Sequence, residues 1–158
     1  MRAIRRIIFL ITLVGALALG VLLGGYLFSD TQPRSLIALH TCENNCLKQK
    51  ELLGLVGSII VQKGPGLLPD VLLETDKTVA IDYPVQHDGD HFVIIPKRDI
   101  RNIGDIREGD QPYIMDALAV ISQLVKDKNL RSYRILTYGP ERQDIAYLHF
   151  HLLGPGAN

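Results

Sequence analysis

The pattern of apolar and polar positions divides the chain near residue 28. Ile7 to Phe28 holds no charged residue and follows Arg2, Arg5 and Arg6, and about 20 apolar residues in a helix suffice to cross the hydrocarbon core of a bilayer. The pattern predicts a transmembrane anchor over 1–28, a polar linker over 29–38 and one domain over 39–158. A cleavable signal peptide shares the basic start, but its apolar region runs only about 7 to 15 residues. The small-x-small site Ala16-Leu17-Ala18 lies inside the run, so the reading carried forward is an uncleaved anchor. A mitochondrial presequence is amphipathic, which this run is not. Three arginines precede the run and one lies within 29–34. This predicts a cytoplasmic N-terminus with the domain outside, periplasmic in a bacterium. Gly20 and Gly24 have the Gly-x-x-x-Gly spacing that lets helices pack closely, a spacing that also arises by chance in so glycine-rich a segment.

Past the linker the periodicities change repeatedly. Asn44 or Asn45 is placed to cap a helix running through Leu52 and Leu53 to Gly57. Ile59-Ile60-Val61 is rich in β-branched residues and predicts a strand. Lys63-Gly64-Pro65-Gly66 predicts a turn, because a phosphate-cradling loop needs a different spacing and a Lys-Ser or Lys-Thr ending. Val71–Glu74 and Thr78–Ile81 read as strands joined by Thr75-Asp76-Lys77, a hairpin. The loop Gln86–Asp90 leads to a strand over His91–Pro96, ended by its proline. Asp110 is positioned to cap a helix with Pro112 in its first turn and an apolar stripe of Ile114, Leu118, Ile121 and Val125. Tyr133–Thr137 and Ile145–Leu153 follow as strands around Tyr138-Gly139-Pro140-Glu141, and their short connection favours antiparallel pairing. The order predicts an α+β domain with helices packed on an antiparallel sheet.

Composition narrows the partners. Basic and acidic residues number 17 each, so no basic surplus points to nucleic acid. Cys42 and Cys46 admit a disulfide, free thiols or a metal site with His40; on a regular helix their Cα atoms lie about 6 Å apart, near the limit for a bridge. His87, Asp88, Asp90 and His91 admit a metal but read better as a solvated turn, and no metal or cofactor is expected.

The most deliberate placement of reactive side chains is Tyr147-Leu148-His149-Phe150-His151-Leu152-Leu153-Gly154. Alternation in a strand puts Tyr147, His149 and His151 on one face and Leu148, Phe150 and Leu152 on the other. Neutral imidazole attacks phosphorus or carbonyl centres, binds metals and shuttles protons.

With these elements in order, Cys42 to Gly154 resembles the histidine-triad superfamily of nucleotide hydrolases and transferases. The resemblance rests on His-Phe-Val-Ile-Ile-Pro-Lys at 91 to 97, the long helix, Tyr133-Arg134-Ile135-Leu136, Gln143 and the histidine segment. It implies an α+β fold in which the middle histidine attacks the α-phosphorus of a nucleotide and is later released by water or another acceptor, with no metal required. By position, His149 would be the nucleophile and His151 would serve the phosphoryl oxygens or the leaving group. Gln143 would contact phosphate, Tyr147 would stand in the first histidine's place, and Asp82, after a shift of one residue, would meet the ribose. The family's habit of pairing implies a homodimer. Departures accompany the match: Tyr147 for the first histidine, Asp144 for a small hydroxyl residue, Asp99 for a histidine, and no asparagine in Tyr138-Gly139-Pro140. A related branch includes CDP-diacylglycerol pyrophosphatases, which together with the anchor suggests a nucleotide-activated lipid as substrate. The departures suggest the competing reading, an inactive domain kept as a ligand-binding or assembly module of a membrane complex.

Overall fold

The computed structural model describes residues 2–28, 49–83 and 89–156. The Asn44/Asn45 cap, the linker 29–38, His40, Cys42, Cys46, His87 and Asp88 lie outside these. The chain forms two compact units, 1–30 and 31–158.

The first unit is one helix, α1 (Arg2–Phe28). Its segment Arg5–Gly24 is long and apolar enough to cross a membrane. The one hydroxyl of that segment, on Thr12, donates to the carbonyls of Ile8 and Phe9 at 3.1 and 2.8 Å, so it takes no unsatisfied group into an apolar medium.

The second unit begins with α2 (Gln49–Lys63). It continues with β1 (Val71–Glu74), β2 (Thr78–Asp82), β3 (His91–Pro96), α3 (Gln111–Asp127), β4 (Arg134–Leu136) and β5 (Phe150–Leu153). The strands form one sheet in the order β1-β2-β3-β5-β4, and every neighbouring pair is antiparallel. This is the expected α+β architecture. Ala80, Phe92, Ile94, Phe150 and Leu152 of the sheet meet Ala117, Val120, Ile121 and Leu124 of α3, with Ile100, Leu130 and Leu148 closing the core. Each large apolar side chain buried this way contributes about 1.5–3 kcal/mol.

Three expectations are corrected. Ile59-Ile60-Val61 is the last full turn of α2, not a strand. The helix runs through Gly57, where an added Cβ would meet nothing within 4 Å. Gly54, Ser58 and Val61, spaced i, i+4, i+7, are its buried positions, so tertiary packing on one helical face overrides β propensity. The stripe on α3 is displaced: Ala117, Val120, Ile121 and Leu124 are buried, Ile114 and Val125 flank the core, and Leu118 is exposed. The histidine strand starts at Phe150 rather than Ile145, because Gln143 to His149 follows the bends of a loop before pairing with β3 begins.

The ends of α3 have local causes. Asp110 holds the expected N-cap position but its side chain makes no capping bond to α3; one oxygen accepts from Arg98 Nε at 2.9 Å and the other from Arg107 N at 3.0 Å. Asn129 takes φ 50° after the last turn, and Leu130 N donates to Val125 O at 2.9 Å. The left-handed residue thus closes the helix while Leu130 enters the core. The hairpin is pinned to α3 by the Thr75 hydroxyl on Asp116. Lys97, just after β3, grips the same hairpin through Glu74 Oε1 at 2.6 Å and Thr75 O at 2.7 Å. At the far end of β5, Gly154 N donates to Asp90 O at 2.7 Å. A Cβ at 154 would stand 2.9 Å from Asp90 Cβ, so the close approach requires glycine.

Candidate active site

The pairing of β3 with β5 sets His91 opposite Leu153 and Val93 opposite His151. Two histidines 60 residues apart in sequence therefore meet: His91 Nε2 lies 2.9 Å from His151 Nδ1. The His149 ring stands 4.9 Å from the His151 ring, centroid to centroid. Tyr83 packs edge-on against His91 and Tyr138 against His151, at 5.0 and 5.2 Å. Tyr83 and Tyr138 were not singled out as site residues from sequence, and His91 was weighed only as one of four possible metal ligands in a turn. The signal that could have found His91 was its place at the start of the 91–97 motif, beside the histidine strand once the hairpin and last strands are paired.

His149 precedes β5, and its Nδ1 lies 2.7 Å from Tyr147 O. A carbonyl only accepts, so Nδ1 carries the proton and the neutral ring has its lone pair on Nε2. That is the tautomer a nucleophile needs. The third histidine is neutral at ordinary pH: burial, then the nearby His149 and His91, lower His151 to about 4. Its Nε2 is buried without a hydrogen-bond partner, as is Nε2 of Gln143. Buried polar atoms left so cost about 1–3 kcal/mol each, and such a cost is offset when a polar ligand or water meets them.

Gln143 is 6% exposed and sits in a bent loop closed by its own N–H on Gly139 O at 3.1 Å. The loop is tied to α2, since Lys50 Nζ donates to Pro140 O at 2.6 Å and Ala146 N donates to Lys50 O at 3.1 Å. Leu148 N then donates to Ile100 O at 2.6 Å, which holds the chain just ahead of His149. The loop's irregularity is thus specified by contacts from remote segments.

Tyr147 engages its phenol with the backbone of β3. The hydroxyl donates to Pro96 O at 2.7 Å and the residue is 3% exposed. Its polar end joins the C-terminal end of β3 to the histidine segment. Asp82 ends β2 opposite Phe92, with its N–H on Asp70 O at 2.9 Å, across β3 from the histidine strand. Asp144 is exposed and Asp99 is buried. Among the described residues no group of three or more His, Cys, Asp or Glu is arranged to hold a metal ion.

The geometry joins one imidazole with an available lone pair to a second, neutral imidazole within contact distance, an arrangement suited to nucleophilic displacement with a neighbouring hydrogen-bonding group. A histidine-triad family hydrolase from Clostridium thermocellum is 26% identical over 63% of this chain and 88% of its own, with a TM-score of 0.55. A second such hydrolase, from Legionella pneumophila Philadelphia 1, is 25% identical over 61% of this chain and 90% of its own, also at 0.55. A histidine triad nucleotide-binding protein from Candida albicans, 24% identical over 65% of this chain and 80% of its own, shares the fold at 0.51. No curated protein matches the chain. The family described as "Scavenger mRNA decapping enzyme C-term binding" matches residues 60–158, from the last turn of α2 through the histidine segment. The chain belongs to that family, and with its sheet, its helices and the solved structures it resembles it is a histidine-triad protein.

Proposed function

We propose that this chain is a membrane-anchored nucleotide phosphohydrolase or nucleotidyl transferase acting through His149. The observation that carries the reading is the Nδ1 bond from His149 to Tyr147 O, which leaves Nε2 as the nucleophilic nitrogen. Nε2 attacks the α-phosphorus as the bond from phosphorus to the leaving oxygen breaks, and that oxygen takes a proton. Water or another acceptor then attacks the same phosphorus, gives up its proton and breaks the P–N bond. His151 and Gln143, whose Nε2 atoms lack partners, serve the phosphoryl oxygens, and His151 also serves the leaving group. Asp82 is assigned to the ribose.

The division into an anchor over 1–28, a linker over 29–38 and a catalytic domain over 39–158 belongs to the same proposal. So do a cytoplasmic N-terminus, a domain on the outer side, and a homodimer. A long apolar helix supports the membrane location, and that location favours a substrate which itself resides in the bilayer, a nucleotide-activated lipid. The two histidine-triad hydrolases at 25 and 26% identity support the hydrolytic chemistry.

The test is to incubate the full chain with nucleotide diphosphate compounds labelled at the α-phosphorus, nucleotide-lipids included, and to trap label on the protein. Label on the wild type that His149→Ala abolishes is the expected result. A second reading, a ligand-binding or assembly module without turnover, draws on Tyr147, whose hydroxyl is spent on Pro96 O. Saturable nucleotide binding by calorimetry, with no label trapped from any compound, would select it.

A further inference from the structure

One helix carries an apolar stripe on the side away from its buried face. The inward face of α2 buries Gly54, Ser58 and Val61. The opposite face carries Leu52, Leu53 and Val56 at 55, 43 and 46% exposure, continues through the half-buried Ile59 and Ile60, and ends at the exposed Lys63. Contiguous apolar surface of this kind, opposite the buried face of the helix, marks an interaction site. We propose that the outer face of α2 docks on the lipid bilayer, as an interfacial helix lying in the headgroup region.

Two further observations select a bilayer as occupant. The same chain carries a helix long and apolar enough to cross a membrane, and α1 ends at Phe28 while α2 begins at Gln49. The residues between, 29–48, reach at most about 70 Å fully extended, so a bilayer crossed by α1 stays close to α2 at high effective concentration. Charge agrees as well. The outer stripe bears Lys63 and no carboxylate, because Glu51 points to the other side, where Arg101 Nε stands 3.7 Å from its Oε2. An apolar stripe without a carboxylate is compatible with an anionic lipid surface.

Docking there has a consequence for the site. The first turn of α2 is bonded through Lys50 to Pro140 O and from Ala146 N, the loop that carries Gln143 and enters His149. A bilayer-bound α2 therefore holds that loop close to the headgroups. This inference rests on the membrane location proposed above and adds a second, peripheral contact to it.

The chain has no tryptophan, which permits single-tryptophan probes. The full chain is reconstituted in vesicles of phosphatidylcholine and phosphatidylglycerol, with or without bromine on the acyl chains, as Leu53→Trp, Val56→Trp, Leu13→Trp (anchor) or Met115→Trp (an exposed position on α3). The proposal expects brominated lipid to remove about half or more of the emission at 53 and 56, as for side chains about 5–10 Å into the boundary region, to quench 13 strongly and to leave 115 unchanged. Quenching at 13 with none at 53 or 56 overturns the docking of α2 and leaves the anchor standing; a second copy or the chain's own residues 29–48 then cover the face. No quenching at 13 overturns both. Equal quenching at 115 and 56 overturns a specific face.

Discussion

The two faces of the segment 147–152 obey different rules. On one face Leu148 and Leu152 are wholly buried and Phe150 nearly so, in a core shared with β2, β3 and α3. On the other, His149 and His151 are half-buried and keep polar atoms for work, while Tyr147 is as deeply buried as the leucines and fastens its hydroxyl to Pro96. Alternation assigns residues to faces, but burial along the polar face is decided by what comes across from β3. The apolar face needs only a neighbour of suitable volume. The polar face needs particular atoms at hydrogen-bonding distance, and for His151 and Tyr147 those arrive from residues 50 or more positions away.

This contrast can be broken or sharpened by substitution. The largest effect is expected at His149: His149→Ala should lower turnover of the identified substrate by about four orders of magnitude or more, as loss of a covalent nucleophile does, with little change in thermal unfolding. A stable variant that retains most activity would remove His149 from the chemistry. Across the strand the reverse is expected. Leu148→Ala should cost about 3 kcal/mol of stability, read by denaturant unfolding, and any activity left at low temperature should keep the wild-type trapping of label.

His151 lies between these extremes because it packs against His91 and is also assigned a role in the proposed chemistry. Its folded-state value, lowered to about 4 from 6.5, means that the folded form resists protonation more than the unfolded chain does. The neutral ring's contribution to stability is therefore fully present above pH 6.5, and it is lost as pH falls from there toward 4. Unfolding midpoints measured across that window should drop for the wild type and flatten for His151→Leu. An unchanged slope in the variant would place the acid sensitivity elsewhere.

The smallest effect is expected at Tyr147. Tyr147→Phe removes one hydrogen bond and leaves Pro96 O without that donor, a loss of about 1 kcal/mol, with activity changed only a few-fold. A hundred-fold loss of activity in a fully folded Tyr147→Phe would instead show the phenol acting in the reaction, and the two faces would then differ less in kind than their geometry indicates.

Long periodic stretches were legible before any coordinates: the hairpin strands, β3, α3 and the apolar run of α1 all stand near where their patterns put them. Misreadings fell where a local signal competed with packing. Ile59 to Val61 look like a strand until Ser58 and Val61 are seen turned inward from one helix. The displaced stripe of α3 shows the same limit, because Ala117 and Val120 fit against the sheet where Leu118 does not. Within the site, His149, His151 and Gln143 were visible as residue types in a recognisable spacing, while the partnership of His151 with His91 was not.

The amino-acid sequence by itself determined which segments are apolar, their periods, and the imidazoles available for chemistry, since these depend on composition and short-range spacing. Only the tertiary structure decided that His91 meets His151, that Tyr147 is tied to Pro96, and that α2 keeps an apolar face outward. Hydrogen bonds between distant residues require strand register and helix rotation, and those are set by burying the whole core at once rather than by any local stretch of chain.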